Sequence, residues 1–439
     1  MTRTHAKGTP SPAGERARWL VLSYFSRVDG MACAQHLDDR VPILRESGIE
    51  PVLLTGPCGE RWEEGIHAIA RCVAPSGVRF EVRHLFRKRG LRGPLHKVLE
   101  FLLLLPVLPF YLLEKILIHL DSQWSWFPLA ARRGYALCRE TRPELIYSTG
   151  GAASAHIAAG MIARRTGIPW VAEFQDPLVH GDWNRGWMAF KAFSFAERYV
   201  CARASRVIFL TEEARRRAAA RTSLGDRGRC IYPGAVPSPE RSPRRRDDAL
   251  LRFAHLGSFG GSRNPAVLLE AVRRILDAMP ELAGKIRFDF HGSADANSRR
   301  LLREFPWKEV VTFHGRVSRS EALAAMRDAD VLLLIQNVAD YSAETIPSKV
   351  YEYLVAGRPI LGLVHESPEL SGMLRTQGHI AVDAASPDAV REGISECLAR
   401  WRGSDGEGTA PSSSPYTVAA AVARLVEEAE EVTSCPPTA

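Results

Sequence analysis

Short apolar runs, each followed by a loop, a helix-period segment and another short apolar run, recur along this 439-residue chain. The first run is Trp19–Phe25 (WLVLSYF); a helix is predicted over about Met31–Ser47, and Pro51–Thr55 follows the helix stop at Gly48. Continuous short apolar runs suit strands buried on both faces, and strand–loop–helix–strand spacing implies parallel pairing with helical crossovers. The pattern repeats with strands at Glu144–Ser148, Trp170–Phe174 and Val207–Leu210, and with an alanine-rich helix over Ala152–Arg165 stopped by Gly167.

Residues 235–249 (AVPSPERSPRRRDDA) interrupt the alternation. Proline, serine and charge without periodicity read as an exposed linker. The alternation then restarts, with strands at Leu251–Leu256, Ile286–His291, Val310–His314 and Val331–Ile335 and helices at 265–278, 320–328 and 348–356. The fold expected is α/β, with two Rossmann-like domains facing across a cleft. The first spans 17–234 after a flexible N-terminus (1–16), and the second spans 250–402. A second linker (403–415, GSDGEGTAPSSSP in its core) precedes a terminal helix at 416–432, placed by topology against the first domain.

A chain this long exceeds one ordinary core, and 46% apolar with 25% charged residues suits a folded protein. The eight cysteines are scattered, with no C-x-x-C, which argues against a disulfide framework or structural zinc and for a reducing compartment. The N-terminus is polar and basic with no apolar run before the first strand, so no signal peptide is expected and the reading is cytoplasmic. A net charge of +8 favours anionic partners. Nucleic acid is disfavoured, because no zinc finger, RNA-binding aromatic signature or heptad-linked basic region is present.

One segment departs from a Rossmann pattern. Residues 98–120 (VLEFLLLLPVLPFYLLEKILIHL) follow the basic stretch RKRGLRGPLHK, and their uncharged core, Phe101–Leu113, carries two prolines. It is short for a spanning helix, which needs about 20 apolar residues. Residues 87–120 are read as a segment lying on an anionic membrane surface, with a buried helical hairpin as the alternative.

Two places carry chemistry. In FAHLGSFGGSRNPAVLLEAV (253–272) a strand ends at Gly257, glycines 260 and 261 follow, and Asn264-Pro265 is a helix start. Such a turn can bring backbone N–H groups to a phosphate, and Arg263 at its mouth can fork onto phosphate oxygens; it can equally be a plain tight turn. In ETIPSKVYEYLVAGRPILG (344–362), Glu344 and Glu352 are eight apart with Lys349 between them. At the end of a parallel sheet they would offer carboxylates to a ribose diol and an ammonium to a diphosphate; on spacing alone they also suit a decorated helix surface.

Residues 344–362 resemble the E-x7-E signature of the family 4 retaining glycosyltransferases of GT-B fold. GSFGGSRNP resembles that family's donor-phosphate loop, and FHGRVSRSEALAAMRDADVLLL (313–334) its nucleobase-side segment. IYSTGGAASAHIAAGMIARRTGIPWVAEFQDPL (146–178) is similar to a segment of its polysaccharide and lipopolysaccharide branch. The resemblance implies that Glu352 holds ribose hydroxyls, Glu344 touches donor-sugar hydroxyls, and Arg263 grips the diphosphate with Gly257 and Ser258 lining its loop. Gly315, flanked by His314 and Arg316, would lie near the base, and Gly30 in the Ser26–Met31 loop on the acceptor side.

Two departures qualify this. Ser258 stands where many members have a second basic residue, a charge Lys349 could supply. Phe174-Gln175-Asp176-Pro177 stands where many have a histidine, which makes Asp176 the first-domain catalytic candidate beside Glu344 and Arg263; His156 reads as packing. The implied activity is transfer of a sugar from a nucleoside diphosphate sugar to a lipid-linked or saccharide acceptor hydroxyl with retention, without metal or further cofactor, on the inner face of the cell membrane. A sugar-nucleotide epimerase and a non-catalytic membrane-attached binding subunit stay open as alternatives.

Overall fold

The computed structural model describes residues 16–28, 31–90, 94–180, 186–237, 250–403 and 414–434. The first domain is a seven-stranded, all-parallel sheet in the order β3-β2-β1-β4-β5-β6-β7. Its strands are β1 (Ala17–Ser23), β2 (Ile49–Thr55), β3 (His67–Ile69), β4 (Leu145–Ser148), β5 (Trp170–Phe174), β6 (Arg206–Phe209) and β7 (Gly228–Cys230). Its helices are α1 (Ala32–Glu46), α2 (Pro75–Lys88), α3 (Pro94–Leu104), α4 (Leu108–Leu117), α5 (Phe127–Thr141), α6 (Ala153–Thr166), α7 (Gly186–Arg203) and α8 (Glu212–Arg221).

The second sheet is six-stranded and parallel, ordered β10-β9-β8-β11-β12-β13. It comprises β8 (Leu251–Leu256), β9 (Ile286–His291), β10 (Val311–Gly315), β11 (Val331–Ile335), β12 (Ile360–Val364) and β13 (Ile380–Asp383). Around it lie α9 (Ala266–Ala278), α10 (Ala296–Glu304), α11 (Arg319–Asp328), α12 (Lys349–Val355), α13 (Pro368–Arg375) and α14 (Pro387–Gly403). Runs such as WLVL in β1 and VLLLI in β11 are apolar throughout because helices cover both faces, leaving no wet side for a polar alternation. The two Rossmann-like domains of a GT-B arrangement are therefore present.

Strand order reverses between β1 and β4 in the first sheet and between β8 and β11 in the second. Loops at such switch points diverge and leave a crevice at the strands' carboxyl ends. The last helix, α15 (Val418–Ser434), returns to the first domain: Val418, Ala421, Val422 and Leu425 share a core with Leu37, Val41 and Leu44 of α1. Arg206 and Arg229 both reach its Glu428, at 2.9 and 2.8 Å.

Several boundaries differ from the sequence reading. β1 starts and ends two residues early, because Ala17 and Arg18 pair with Ile49 and Glu50. Helix α9 starts at Ala266 rather than Pro265; Asn264 Oδ1 accepts from Ala266 N at 3.0 Å, which leaves Pro265 outside the helix. Glu352 falls in the first turn of α12. The N-terminus up to residue 15 and the greater part of both linkers lie outside the described residues.

The segment after α2 forms a helical hairpin, α3 and α4 joined by a turn over Leu105–Val107. It is not buried. Its polar side faces inward: Glu100 takes Arg83 Nη2 at 2.7 Å and Arg79 from α2, and Glu114 takes Ser76 N at 2.9 Å and Trp124 Nε1 at 2.7 Å. Its apolar side faces out, with Phe110 66% and Ile116 68% exposed and Phe101, Leu113 and Leu117 more than half exposed. That inverts the usual surface helix. Helix α7 adds Trp187 and Phe195, 65% and 69% exposed, and its Phe193 shares a small core with Leu120 at the end of the hairpin. Among the described residues no helix is long and apolar enough to cross a membrane.

Candidate active site

A cavity of about 390 Å³ lies between the domains, lined by the segments that follow β1, β5, β6, β8 and β11. The first domain contributes the start of α1 (Ala32, Cys33, His36) and the end of β5 (Gln175, Asp176). The second contributes Arg263 from the loop after β8, and Asn337, Tyr341 and Glu344 from the loop after β11, with Lys349 opening α12. Asp176, Arg263, Glu344 and Lys349 are thus brought to one space. Gly257, Ser258, Gly315, Arg316 and Glu352 do not line it, and Gly30 lies outside the described residues.

The loop after β8 is locked to its neighbours. Gly257 N donates to His291 O at 2.8 Å, and Gly292 N donates to Gly315 O at 2.7 Å. Gly292 has φ +139°, and a Cβ there would lie 2.1 Å from the Gly257 carbonyl oxygen, so only glycine fits. Ser258, exposed, takes a hydrogen bond from Ser293 Oγ at 2.8 Å. Arg263 is held by paired backbone bonds with Gly260, at 2.9 and 3.2 Å, which aims its side chain into the cavity wall. Its buried Nε has no partner, and no carboxylate pairs with its guanidinium among the described residues. Burial pulls its pKa below the ordinary arginine value; an arginine stays charged regardless. A desolvated cation without an anion is costly, and an anionic ligand relieves the cost.

Lys349 and Glu352 face each other: Lys349 Nζ donates to Glu352 Oε2 at 2.7 Å. Gln35 Nε2 of α1 reaches Glu352 Oε1 across the cleft at 3.2 Å, and Arg319 approaches the same oxygen at 3.5 Å. Burial works against the Glu352 charge, but Lys349, Gln35 and Arg319 together outweigh it and hold the carboxyl below its ordinary value. Arg316 is exposed outside the cavity, and His314 Nε2 bonds Asp289 Oδ1 at 2.7 Å while stacking on His291.

On the first-domain side a buried polar network supports the floor. Arg40 Nη1 donates to Tyr147 Oη at 2.6 Å and also pairs with Glu173, and Thr149 Oγ1 donates to Glu173 Oε1 at 2.9 Å. Burial raises Glu173, yet the Arg40 charge and hydrogen bond, with His36 and Thr149, together offset this and keep its carboxyl low. Gln175 Nε2 bonds Thr149 Oγ1 at 3.1 Å and Cys33 O at 3.3 Å, which fixes the turn that presents Asp176. Asp176 keeps solvent access through the cleft, while the surrounding protein pushes its carboxyl above the ordinary range. His156 is buried under β5, its Nδ1 2.9 Å from Ser148 Oγ and its ring edge-on to Phe174.

Sequence reasoning missed His36, Gln35 and Arg217. Burial and then the Arg40 charge pull the His36 imidazole down to about 4, so it meets the cavity uncharged at neutral pH. Gln35 and His36 lie in the first turn of the helix after β1, where the switch-point rule places ligand contacts. Arg217, on α8, reaches Glu344 through a contact that no local pattern announces.

Residues 38–234 match the glycosyl transferase 4-like domain, and residues 263–402 match the glycosyl transferase-like domain. The chain carries two glycosyltransferase domains. No curated protein matches the chain by sequence. Solved structures share its fold. Sucrose-phosphate synthase from Thermosynechococcus elongatus aligns with a TM-score of 0.64 at 12% identity, covering 95% of this chain and 99% of that one. Anabaena HepE in complex with UDP gives 0.56 at 11% identity, covering 95% and 97%. The lipopolysaccharide outer core galactosyltransferase WaaB gives 0.57 at 10% identity, covering 94% and 99%. The cavity walls come from both of these domains, Arg263 and Lys349 from the second and Asp176 from the first.

Proposed function

We propose that the protein transfers a sugar from a nucleoside diphosphate sugar to an acceptor hydroxyl, with retention at the anomeric carbon. The observation that carries this is Arg263, a half-buried arginine on the cavity wall whose buried Nε is unpartnered and whose guanidinium has no carboxylate partner among the described residues. The bond from the anomeric carbon to the diphosphate oxygen breaks, and a bond to the acceptor oxygen forms on the same face. The departing diphosphate gains negative charge, which Arg263 and Lys349 stabilise without reorganising; such preorganised charge is usually the largest catalytic term. Glu352 takes the ribose hydroxyls once Lys349 turns to the phosphates, and Glu344 takes hydroxyls of the sugar. Gly257, Ser258 and Gly315 line the nucleotide beyond the cavity, with Arg316 at its rim. Asp176, with its raised carboxyl, accepts the hydrogen bond of the acceptor hydroxyl and serves as general base. The Anabaena HepE complex with UDP-glucose supports a nucleotide sugar as donor.

The acceptor is a lipid-linked or saccharide hydroxyl, in the assembly of a cell-surface polysaccharide, and the fold shared with WaaB supports that branch. The protein works as a peripheral protein on the inner face of the cell membrane. The outward apolar face of α3, α4 and α7 supports this, as do the exposed Arg87, Lys88 and Arg89 at the end of α2. Each basic side chain adds about 1 kcal/mol at an anionic surface.

A panel of nucleoside diphosphate sugars, assayed with and without membrane extract, tests the reading. The expected result is nucleotide release with one donor, stimulated by extract, and sugar incorporated into an extractable product with its anomeric configuration kept. Interconversion of the sugar without an acceptor points to an epimerase, and donor binding without turnover to a non-catalytic subunit; either outcome defeats the proposal.

A further inference from the structure

Glu344 belongs to the second domain, at the end of a short turn over Ser342–Glu344, but the first domain grips it. Arg217 Nη1 of α8 donates to Glu344 Oε1 at 2.7 Å, and Thr211 Oγ1 donates to the Glu344 carbonyl at 2.8 Å. Thr211 also caps α8, accepting from Ala214 N at 3.1 Å, so one residue both starts the helix and holds the turn. Arg217 is aimed by Glu213, one helical turn earlier, whose Oε1 accepts from Arg217 Nε at 2.7 Å.

This pairing is incomplete in an informative way. Glu344 is 2% exposed and borders the cavity, yet among the described residues its Oε2 has no hydrogen-bond partner. A buried carboxylate oxygen without a donor is costly. The other arginines of α8 near it are engaged elsewhere: Arg221 makes a two-pronged bond to Glu197, at 2.7 and 2.8 Å, and Arg216 bonds Glu213 at 2.7 and 2.6 Å.

We propose that Arg217 is a positioning residue: reaching from the first domain, it fixes Glu344 so that Oε2 receives a hydroxyl of the donor's sugar, making sugar recognition conditional on domain closure. This rests on the reading of the cleft as a donor site. With the domains apart, Glu344 loses its guanidinium and its carbonyl donor together, and the sugar is held only through its nucleotide. A nucleoside diphosphate without sugar makes no demand on Oε2, so its affinity is independent of Arg217.

The groups facing Glu344 are Arg217, Arg216 and Arg221 on α8 and Glu197 on α7, with Lys349, Arg263, Asp176 and His36 around the cavity. Burial raises the Glu344 carboxyl, and Arg217 and then Arg221 counteract it. Removing Arg217 raises it further. The ionised form is the hydrogen-bond acceptor, so the acid limb of the activity profile moves to higher pH.

The test compares wild type with Arg217→Met, Arg217→Lys and Glu344→Gln. Calorimetry measures nucleoside diphosphate binding, and steady-state kinetics with the active nucleotide sugar are followed across pH. In Arg217→Met, nucleotide Kd is expected to stay within about twofold while kcat/KM falls by roughly 10- to 100-fold, with the acid limb displaced upward and partly restored in Arg217→Lys. Glu344→Gln, which keeps the shape and hydrogen bond, is expected to lose kcat/KM without the pH displacement, and it stands in should Arg217→Met not fold. Wild-type kinetics in Arg217→Met, or equal loss of nucleotide and sugar-nucleotide binding with an unmoved pH profile, overturns this inference alone. A wild-type protein that binds no nucleoside diphosphate overturns the donor-site reading and this inference with it.

Discussion

Arg263 in the second domain and Arg40 in the first both lie close to the cleft, the one half-buried and the other fully buried, but they stand in opposite surroundings. Arg40 is tied to Glu173 and Tyr147 within its own domain, whereas Arg263 meets no carboxylate among the described residues. The outer surfaces differ in the other direction. Among the described residues of 250–403, Met279 and Val338 are the large apolar side chains left exposed, while the first domain leaves runs of them on α3, α4 and α7. The second domain thus presents an arginine without a carboxylate towards the cleft, and the first an apolar face towards the outside. Unmet demand of this kind is what the two proposed ligands would meet: an anion in the cleft, an apolar phase beyond the hairpin.

The largest effect expected from disturbing this contrast lies in the interlocked strand ends of the second domain. Gly292→Ala places a methyl against the Gly257 carbonyl and strains the backbone, at a cost of about 2–5 kcal/mol. Gly90→Ala after α2, with φ +79° and nothing within 4 Å of the added carbon, should cost only about 1 kcal/mol. Denaturant titration of both variants checks the difference; similar losses would mean that the donor loop is no tighter than a surface turn.

Next in size is the outward face of the first domain. Leu113 and Ile116 are 52% and 68% exposed on α4 and lie one turn apart. Replacing both with serine should weaken binding to vesicles of mixed neutral and anionic phospholipid by about 2–4 kcal/mol, on the order of 30- to 1,000-fold. High salt should weaken wild-type binding without abolishing it, because only the basic part is screened. Flotation is the measurement, and wild-type protein left in the soluble fraction would make this face something other than a membrane contact.

A smaller effect separates the nucleotide from the sugar end of the cleft. Glu352→Ala removes a carboxylate that Lys349 and Gln35 now hold, and should raise the nucleoside diphosphate Kd by about 1–3 kcal/mol. An unchanged Kd would remove Glu352 from the nucleotide site.

The fold was legible because both sheets are parallel and buried, so each strand is a continuous apolar run between helix signals. Strand ends were less so: hydrogen bonds to Ile49 and Glu50 extend β1 back through Arg18, whose side chain gives no strand signal. Of the site, Arg263, Glu344 and Lys349 were readable because glycine punctuation and carboxylate spacing are local. The partners that set their state were not. Gln35 meets Glu352 across 317 residues, and Arg217 meets Glu344 across 127. The hairpin's composition was plain, but which face turns out depends on Glu100 and Glu114 finding donors on α2 and beside Trp124, which no periodicity encodes.

The unpaired Arg263 is the point on which the donor site turns, and nucleotide calorimetry tests it most directly. Titrated with the nucleoside diphosphate that binds wild type best, Arg263→Ala should show a Kd raised by roughly 10- to 150-fold, with its melting temperature held within a few degrees. An unchanged Kd, or a variant that melts far earlier yet binds normally, would contradict the account and make Arg263 a structural residue of the second domain.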